Sequence, residues 1–149
     1  MQRFRFVLAL AFLPVTACHW DAFGIDGRDF EGVYSLAGTV DGELGDAIVG
    51  TITVTRQRGG RADVTVDWSY LDRGVEIIHI TTDTPAEADL DSDGDIDFEF
   101  FGDLLIDGEY WGFQLTHEGR LRGGTMHGFW RLTTDLPTDD SGSFTADRY

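Results

Sequence analysis

Residues 63–70 read Asp-Val-Thr-Val-Asp-Trp-Ser-Tyr, so polar and apolar side chains alternate along this stretch. Successive side chains of a β-strand point to opposite faces, and this period of two therefore predicts a half-buried antiparallel strand. The same period recurs in residues 34–40 and 48–55. Further candidate strands are 75–82, 87–90, 96–101, 109–116, 120–132 and 143–148. Helical periodicity is absent after residue 17, and the sequence predicts an all-β fold.

Pairs of turn-forming residues separate the candidate strands. They are Gly59-Gly60, Asp93-Gly94, Asp107-Gly108 and Glu118-Gly119. Such pairs favour tight hairpins, and a shift of one residue in a hairpin moves every side chain to the other face. For the first hairpin, a three-residue loop from Arg58 to Gly60 pairs Val54 with Val64, which keeps both on the core face. We therefore predict that loop rather than a two-residue one.

The Glu118-Gly119 pair is expected to form a two-residue loop that sets Leu115 opposite Arg122. Because residues of one parity on each strand then share a face, the large apolar side chains of both strands form one stripe. The stripe consists of Trp111, Phe113, Leu115, Met126, Trp130 and Leu132. We expect part of it, namely Trp111, Phe113, Met126 and Trp130, to line any ligand-binding interior.

Eight to ten short strands joined by tight hairpins predict a meander that closes on itself. The last strand, 142–146, can pair with the first, 32–36, which removes both sheet edges. We expect one domain over residues 30–149 that forms a small barrel. A two-sheet β-sandwich is the alternative.

Three segments of the domain are similar to the lipocalin and avidin class of up-and-down barrels. They are an opening Gly-Val-Tyr at 32–34, a late Gly-Thr-Met-His-Gly-Phe-Trp at 124–130, and a closing Ser-Gly-Ser-Phe at 141–144. Tyr34 stands where lipocalins carry a Trp. The resemblance implies a barrel with an interior that can hold a small apolar molecule.

The N-terminus has the three parts of a secretory signal. Arg3 and Arg5 precede an apolar run over residues 6–13, which is too short to span a membrane. Val15-Thr16-Ala17-Cys18 follows and resembles the lipobox of bacterial lipoproteins. The resemblance implies removal of residues 1–17 and attachment of a diacylglycerol and a further acyl chain such as palmitate to Cys18. Residues 18–29 would then be a tether.

Two observations bear on the lipobox resemblance. Cys18 is the single Cys of the chain, and an unpaired Cys in an exported protein needs an explanation, which lipidation supplies. In lipoproteins an Asp directly after the lipidated Cys causes retention at the inner membrane. His19 stands there instead, so we expect a cell-envelope protein of the outer membrane. The alternative is an ordinary signal peptide cut after Ala17, which leaves a free thiol.

The domain is strongly acidic. Without residues 1–17 the chain has 11 − 2 = 9 Arg against 27 Asp and Glu, a formal charge of 9 − 27 = −18. Such a field disfavours nucleic acid and anionic lipid headgroups as partners and favours cations or basic surfaces. We therefore expect the membrane contact to run through Cys18 alone.

Residues 89–97 read Asp-Leu-Asp-Ser-Asp-Gly-Asp-Ile-Asp and look like the calcium loops of EF-hand and dockerin-type repeats. The resemblance implies oxygen ligands from Asp89, Asp91, Asp93, the backbone of Asp95, and Asp97. The twelfth position is Phe100 rather than the closing Glu of EF-hands, so Glu99 or a distant acid would have to close the site. The alternative is a plain hairpin with a solvated acidic face. Pairing Leu90 with Ile96 in that hairpin sets Asp89 against Asp97, which is unfavourable unless a cation binds.

The remaining chemistry-bearing residues give no catalytic pattern. His79, His117 and His127 are not spaced as metal ligands, and we expect them at the surface or rim. With neither a nucleophile motif nor a phosphate-binding loop, the sequence favours a lipid-anchored binding or structural module that is not an enzyme and whose one candidate cofactor is calcium. A carrier of a small apolar ligand is the second hypothesis, and an envelope enzyme is the third.

Overall fold

A computed structural model of the protein describes residues 29–42, 45–106, 108–135 and 139–149, without the side chain of Ile106. The signal peptide, Cys18 and nearly all of the tether lie outside these residues. The described residues form antiparallel strands joined mainly by short turns. The strands are β1 (Gly32–Thr39), β2 (Ala47–Arg58), β3 (Arg61–Asp72), β4 (Val75–Thr81), β5 (Ala86–Leu90), β6 (Asp95–Ile106), β7 (Glu109–Arg122), β8 (Thr125–Thr134) and β9 (Asp140–Arg148).

The sheet closes into a barrel. Its order is β2-β1-β9-β8-β7-β6-β5-β3-β4, and β2 also pairs with β3, so eight strands complete a ring with β4 as an extra strand on the edge of β3. The first and last strands pair as expected, with Leu36 opposite Ala146 and Gly38 opposite Phe144. The barrel is confirmed, and the sandwich alternative is wrong. Closure leaves no exposed edge on β1 or β9, which suits the alternating pattern of both.

The first hairpin has the predicted register but a different turn. Val54 lies opposite Val64, as the burial pattern requires. The turn itself is Gly59-Gly60, with Arg58 opposite Arg61, and the register shifts between Thr55 and Arg58. The residue that we assigned to the loop is therefore absorbed in a bulge, where Arg56 has a φ of 52°. A bulge keeps both faces in register while it increases the local twist.

The predicted turn at Glu118-Gly119 is wrong. β7 runs through both residues and ends at Arg122, and Leu115 lies opposite Leu132 rather than Arg122. Gly119 sits in a tightly packed place, because an added Cβ would lie 3.0 Å from Met126 Cγ and 3.1 Å from Phe144 Cζ. The chain turns instead at Gly123-Gly124, where φ values of 62° and 92° favour glycine.

The core fills the centre of the barrel with aromatic side chains. The rings of Trp68 and Trp130 lie 5.5 Å apart and those of Tyr70 and Trp130 6.0 Å apart, both edge to face. Trp130 Nε1 donates a hydrogen bond of 3.0 Å to the carbonyl of Thr39, and the Tyr70 hydroxyl donates to Asp140. Burial and the Asp140 carboxylate raise the pKa of Tyr70. These hydrogen bonds fix the positions of the Trp130 and Tyr70 rings, and the rings fill the interior.

The barrel is split along one side. β5 pairs with β3 near Arg61, and β4 pairs with the far half of β3. β6 pairs with β5 only at Asp97 and Ile96, and the described residues show no ladder between β4 and β6. We call the gap between β4 and the second half of β6 the seam.

Candidate functional site

The acidic hairpin joins β5 to β6. Leu90 lies opposite Ile96 and Asp89 opposite Asp97, which confirms the predicted pairing. The turn is closed by backbone hydrogen bonds from Asp91 N–H to the Asp95 carbonyl at 3.1 Å and from Gly94 N–H to the Asp91 carbonyl at 3.2 Å. The segment is therefore a tight β-hairpin rather than an open loop.

Three acids of this hairpin already have partners. Asp89 Oδ1 lies 3.9 Å from Arg61 Nε, across the pair of β5 and β3. Asp91 Oδ1 accepts the N–H groups of Asp93 at 2.8 Å and Asp95 at 3.0 Å, which is an Asx-type cap of the turn. The Asp95 carboxylate accepts hydrogen bonds from both Nε and Nη2 of Arg120, the second of 2.6 Å. This pair raises the pKa of the Arg120 guanidinium. Asp91 thus holds the turn, and Asp95 joins it to β7.

Three carboxylates form a row across the outer face of the barrel. Asp97 on β6 lies opposite Asp89 on β5 and, on its other side, opposite Glu118 on β7. Partial burial together with Glu118, Asp95, Asp89 and Asp91 raises the pKa of Asp97. We call Asp89, Asp97 and Glu118 the acidic row. It concentrates like charge that a cation would neutralise.

A shallow outer concavity of about 290 Å³ lies over the acidic row. Glu87 and Glu99 line it as well, and Glu99 also accepts a hydrogen bond of 2.9 Å from Gln114 Nε2. Glu118 was missed from the sequence because we placed it in a turn. The signal that could have found it is the alternation of β7, which continues to Leu121.

The acids do not enclose a ready metal site. Among the described residues, no group of three or more His, Cys, Asp and Glu side chains is arranged to hold a metal ion. Asp93 lies exposed at the turn, and Asp91 and Asp95 point to backbone amides and Arg120. Calcium binding stays a prediction, with the acidic row as the part of the hairpin best placed for it.

The four expected ligand-binding residues lie at different levels of the barrel. Met126 is buried one residue after the start of β8, and Trp130 is buried at the centre, whereas Trp111 and Phe113 are half-buried. Phe113 lies opposite Thr134 near the other end of β8. Aromatic rings from β3 occupy the space beside Trp130. Ligand carriage stays a prediction, and a ligand beside Trp130 would have to displace the Trp68 and Tyr70 rings.

His117 is in the core, so its expected place at the surface or rim is wrong. It is 1% exposed, and its ring stacks on Phe98 at 4.9 Å and meets Phe144 edge on at 5.3 Å. Both ring nitrogens lack a hydrogen-bond partner within the described part of the chain. Burial lowers the pKa of the His117 imidazole to about 3, so the ring is neutral at pH 7.

One cluster on β3 and β4 superficially resembles a catalytic triad. Ser69 Oγ lies 3.4 Å from His79 Nδ1, and His79 Nε2 lies 3.1 Å from Asp67 Oδ1. The Ser69 hydroxyl, however, donates to Glu76 Oε2 at 2.6 Å, and this hydrogen bond helps to lower the pKa of Glu76. A nucleophile must give its proton to the base, and here the proton points to a carboxylate. We assign no reaction to the cluster.

The strands form a small, closed antiparallel β-barrel, consistent with the barrels of lipocalins and avidins, and the acidic row lies on its outer face. Its described residues contain no helix of the length and apolarity needed to cross a bilayer. No family model matches the sequence, and no curated protein or solved structure is significantly similar to it.

Proposed function

We propose that the protein is a non-catalytic binding or structural module of the bacterial outer membrane, tethered through lipidated Cys18. The order of basic residues, apolar run and Val-Thr-Ala-Cys at residues 15–18 carries this proposal. A self-contained barrel that begins shortly after a polar tether supports it, because such a domain needs no further membrane contact. The filled aromatic centre of the barrel supports a structural or surface-binding role over ligand carriage.

Cys18→Ala is expected to abolish incorporation of labelled palmitate and to release the protein from the membrane fraction. Acyl chains contribute about 0.8 kcal/mol per buried CH₂, so their loss removes the anchor. The measurement is metabolic labelling followed by fractionation. His19→Ala serves as the matched control and should keep both label and anchor. Label on the Cys18→Ala variant, or a free reactive thiol in the exported wild type, would contradict the lipid anchor.

The second part of the proposal is a calcium site at the hairpin from Asp89 to Asp97. The observation that supports it is the position of Asp97 between Asp89 and Glu118, with the pKa of Asp97 raised by partial burial and by the surrounding carboxylates. Calcium accepts six to eight oxygens in a flexible geometry, and exposed carboxylates can turn toward an ion. The absence of a ready enclosure among the described residues implies weak binding.

Asp97→Asn is expected to have opposite effects without and with calcium. Without calcium it removes repulsion and stabilises the fold by a few tenths of a kcal/mol. With calcium at ten times the Kd, the wild type gains about 1.4 kcal/mol, and the variant loses most of this gain. Titration calorimetry and thermal unfolding of the lipidated protein in a neutral detergent measure both effects.

Asp103→Asn is the matched control for the calcium experiment. Asp103 is also an exposed acid of β6, but it lies opposite Gly112, away from the acidic row. Asp103→Asn removes the same charge as Asp97→Asn. Because Asp103 lies outside the acidic row, this variant should keep the calcium response of the wild type. No heat and no shift in melting temperature at millimolar calcium would exclude the site. An equal loss in both variants would mean that calcium merely screens the net charge.

A further inference from the structure

The seam presents two strand edges that face a common groove. From Phe98 to Ile106, β6 pairs only with β7, and β4 pairs only with β3, as far as the described residues extend. Unpaired edge groups need hydrogen-bond partners and readily accept another strand. The groove has a volume of about 310 Å³. Its lining includes Ile80, Thr82, Phe100, Gly102, Leu104 and Phe113.

The strands that border the seam carry large exposed apolar side chains. On the outer face of β6, Phe101 and Leu105 are exposed, and Val75 and Ile77 are exposed on β4. Leu105 lies opposite Tyr110, which is also exposed. Proteins normally shield edges with charged residues and avoid apolar ones beside them. Apolar groups concentrated beside open edges indicate an interaction surface.

The charge of the same region restricts the partner. Residues 75–109 contain 12 Asp and Glu but no Arg or Lys. Glu76, Asp83, Glu99 and Asp103 lie on or beside the two edges. A second copy of this chain would bring the same negative charge to the seam and is therefore disfavoured. A segment with positive side chains is favoured.

We propose that the seam binds an extended segment of another protein by strand addition, and that this segment alternates basic and apolar residues. Its backbone would pair with β4 and β6, and its apolar side chains would pack on Ile80, Phe100 and Leu104. Its basic side chains would lie on the outer face, where their aliphatic stems cover Phe101 and their charged ends reach Asp103. The proposal requires neither calcium at the acidic row nor the lipid on Cys18.

The test uses the lipidated protein in a neutral detergent and a labelled peptide of sequence Val-Arg-Val-Arg-Val-Arg-Val. Fluorescence anisotropy should show saturable binding that weakens with salt. Amide exchange should slow at residues 75–81 and 98–106 when the peptide is added. A peptide that is N-methylated at alternate residues keeps its charge but loses one row of hydrogen bonds, and it should bind at least about tenfold more weakly.

Phe101→Lys and Phe129→Lys form a matched pair of variants. The two rings are 68% and 69% exposed, but Phe129 lies on β8, away from the seam. Both substitutions add the same charge to an exposed site, so neither is expected to disturb folding. Phe101→Lys should weaken peptide binding about tenfold, and Phe129→Lys less than about twofold.

Four results would overturn the proposal. The first is the absence of saturable binding. The second is evidence of diffuse charge attraction, seen as equal binding of the methylated peptide or as equal weakening by both Lys variants. The third is a dimer of the free protein that Phe101→Lys disrupts, because the occupant is then a second copy. The fourth is full protection of the seam amides before any peptide is added, because the chain then covers the seam itself.

Discussion

Trp130→Ala is expected to lower the free energy of unfolding by about 3–5 kcal/mol, as large aromatic truncations in cores do. The indole is 2% exposed and meets the rings of Trp68 and Tyr70. Its truncation removes both ring contacts and leaves the Thr39 carbonyl without the Nε1 donor. The closed ring of strands limits how far the walls can collapse into the space. Urea denaturation followed by circular dichroism measures the change.

Trp111→Ala is the matched control for this prediction. The same side chain is removed, but Trp111 is only half-buried and lies opposite Leu104. The expected loss is about 1 kcal/mol, which is typical of substitutions outside the core. Equal losses for the two variants would contradict the assignment of Trp130 to the packed centre. A small loss at Trp130 together with binding of an apolar dye by the wild type would favour the carrier hypothesis.

His117→Phe is expected to raise stability at pH 7 and to remove a large pH dependence. The folded pKa is about 3, whereas a free His has a pKa of about 6.5. Below pH 6.5 the unfolded chain takes up a proton that the folded protein does not bind, so stability falls as the pH decreases toward 3. Between pH 7 and pH 5 this loss is about 2 kcal/mol. The variant should lack that loss.

The expected gain at pH 7 has a separate cause. Phe keeps the stacking on Phe98 and the edge contact with Phe144 but has no ring nitrogens that lack partners. Removing them is expected to stabilise the fold by about 1–2 kcal/mol. The stability of wild type and variant is compared by urea denaturation at pH 7 and pH 5, a range in which most carboxylates remain ionised.

His127→Phe controls for the change of residue type. His127 is exposed on β8 and lies opposite Thr145. The stability of His127→Phe should therefore depend on pH in the same way as that of the wild type. The raised pKa of Asp97 acts in the other direction, because protonation of that carboxyl relieves repulsion as the pH falls. It is common to wild type and variant and cancels in the comparison. Equal changes in stability between pH 7 and pH 5 for the wild type and the His117→Phe variant would contradict the neutral, buried His117.

The hairpin between β7 and β8 explains which predictions from sequence succeeded. Moving Leu115 from Arg122 to Leu132 shifts its partner by ten residues, an even number, so no side chain changes face. The predicted stripe therefore stays on one side although the predicted turn is wrong. Glu118 and His117 show what such an error hides. Glu118 lies in the acidic row, and the His117 ring is buried in the core.

The alternation of residues 63–70 and its repeats determined by themselves that this protein is all-β, because side-chain parity is a local property of a strand, whereas the choice of a barrel over a sandwich came from the pairing of β1 with β9. The Leu90–Ile96 pairing followed from the same parity, since burial of two nearby residues leaves one register. The sequence alone did not determine which strand pairs end early. Only the tertiary structure decided the acidic row, the burial of His117 and the open seam, because each depends on the register between strands and on where each strand pairing ends.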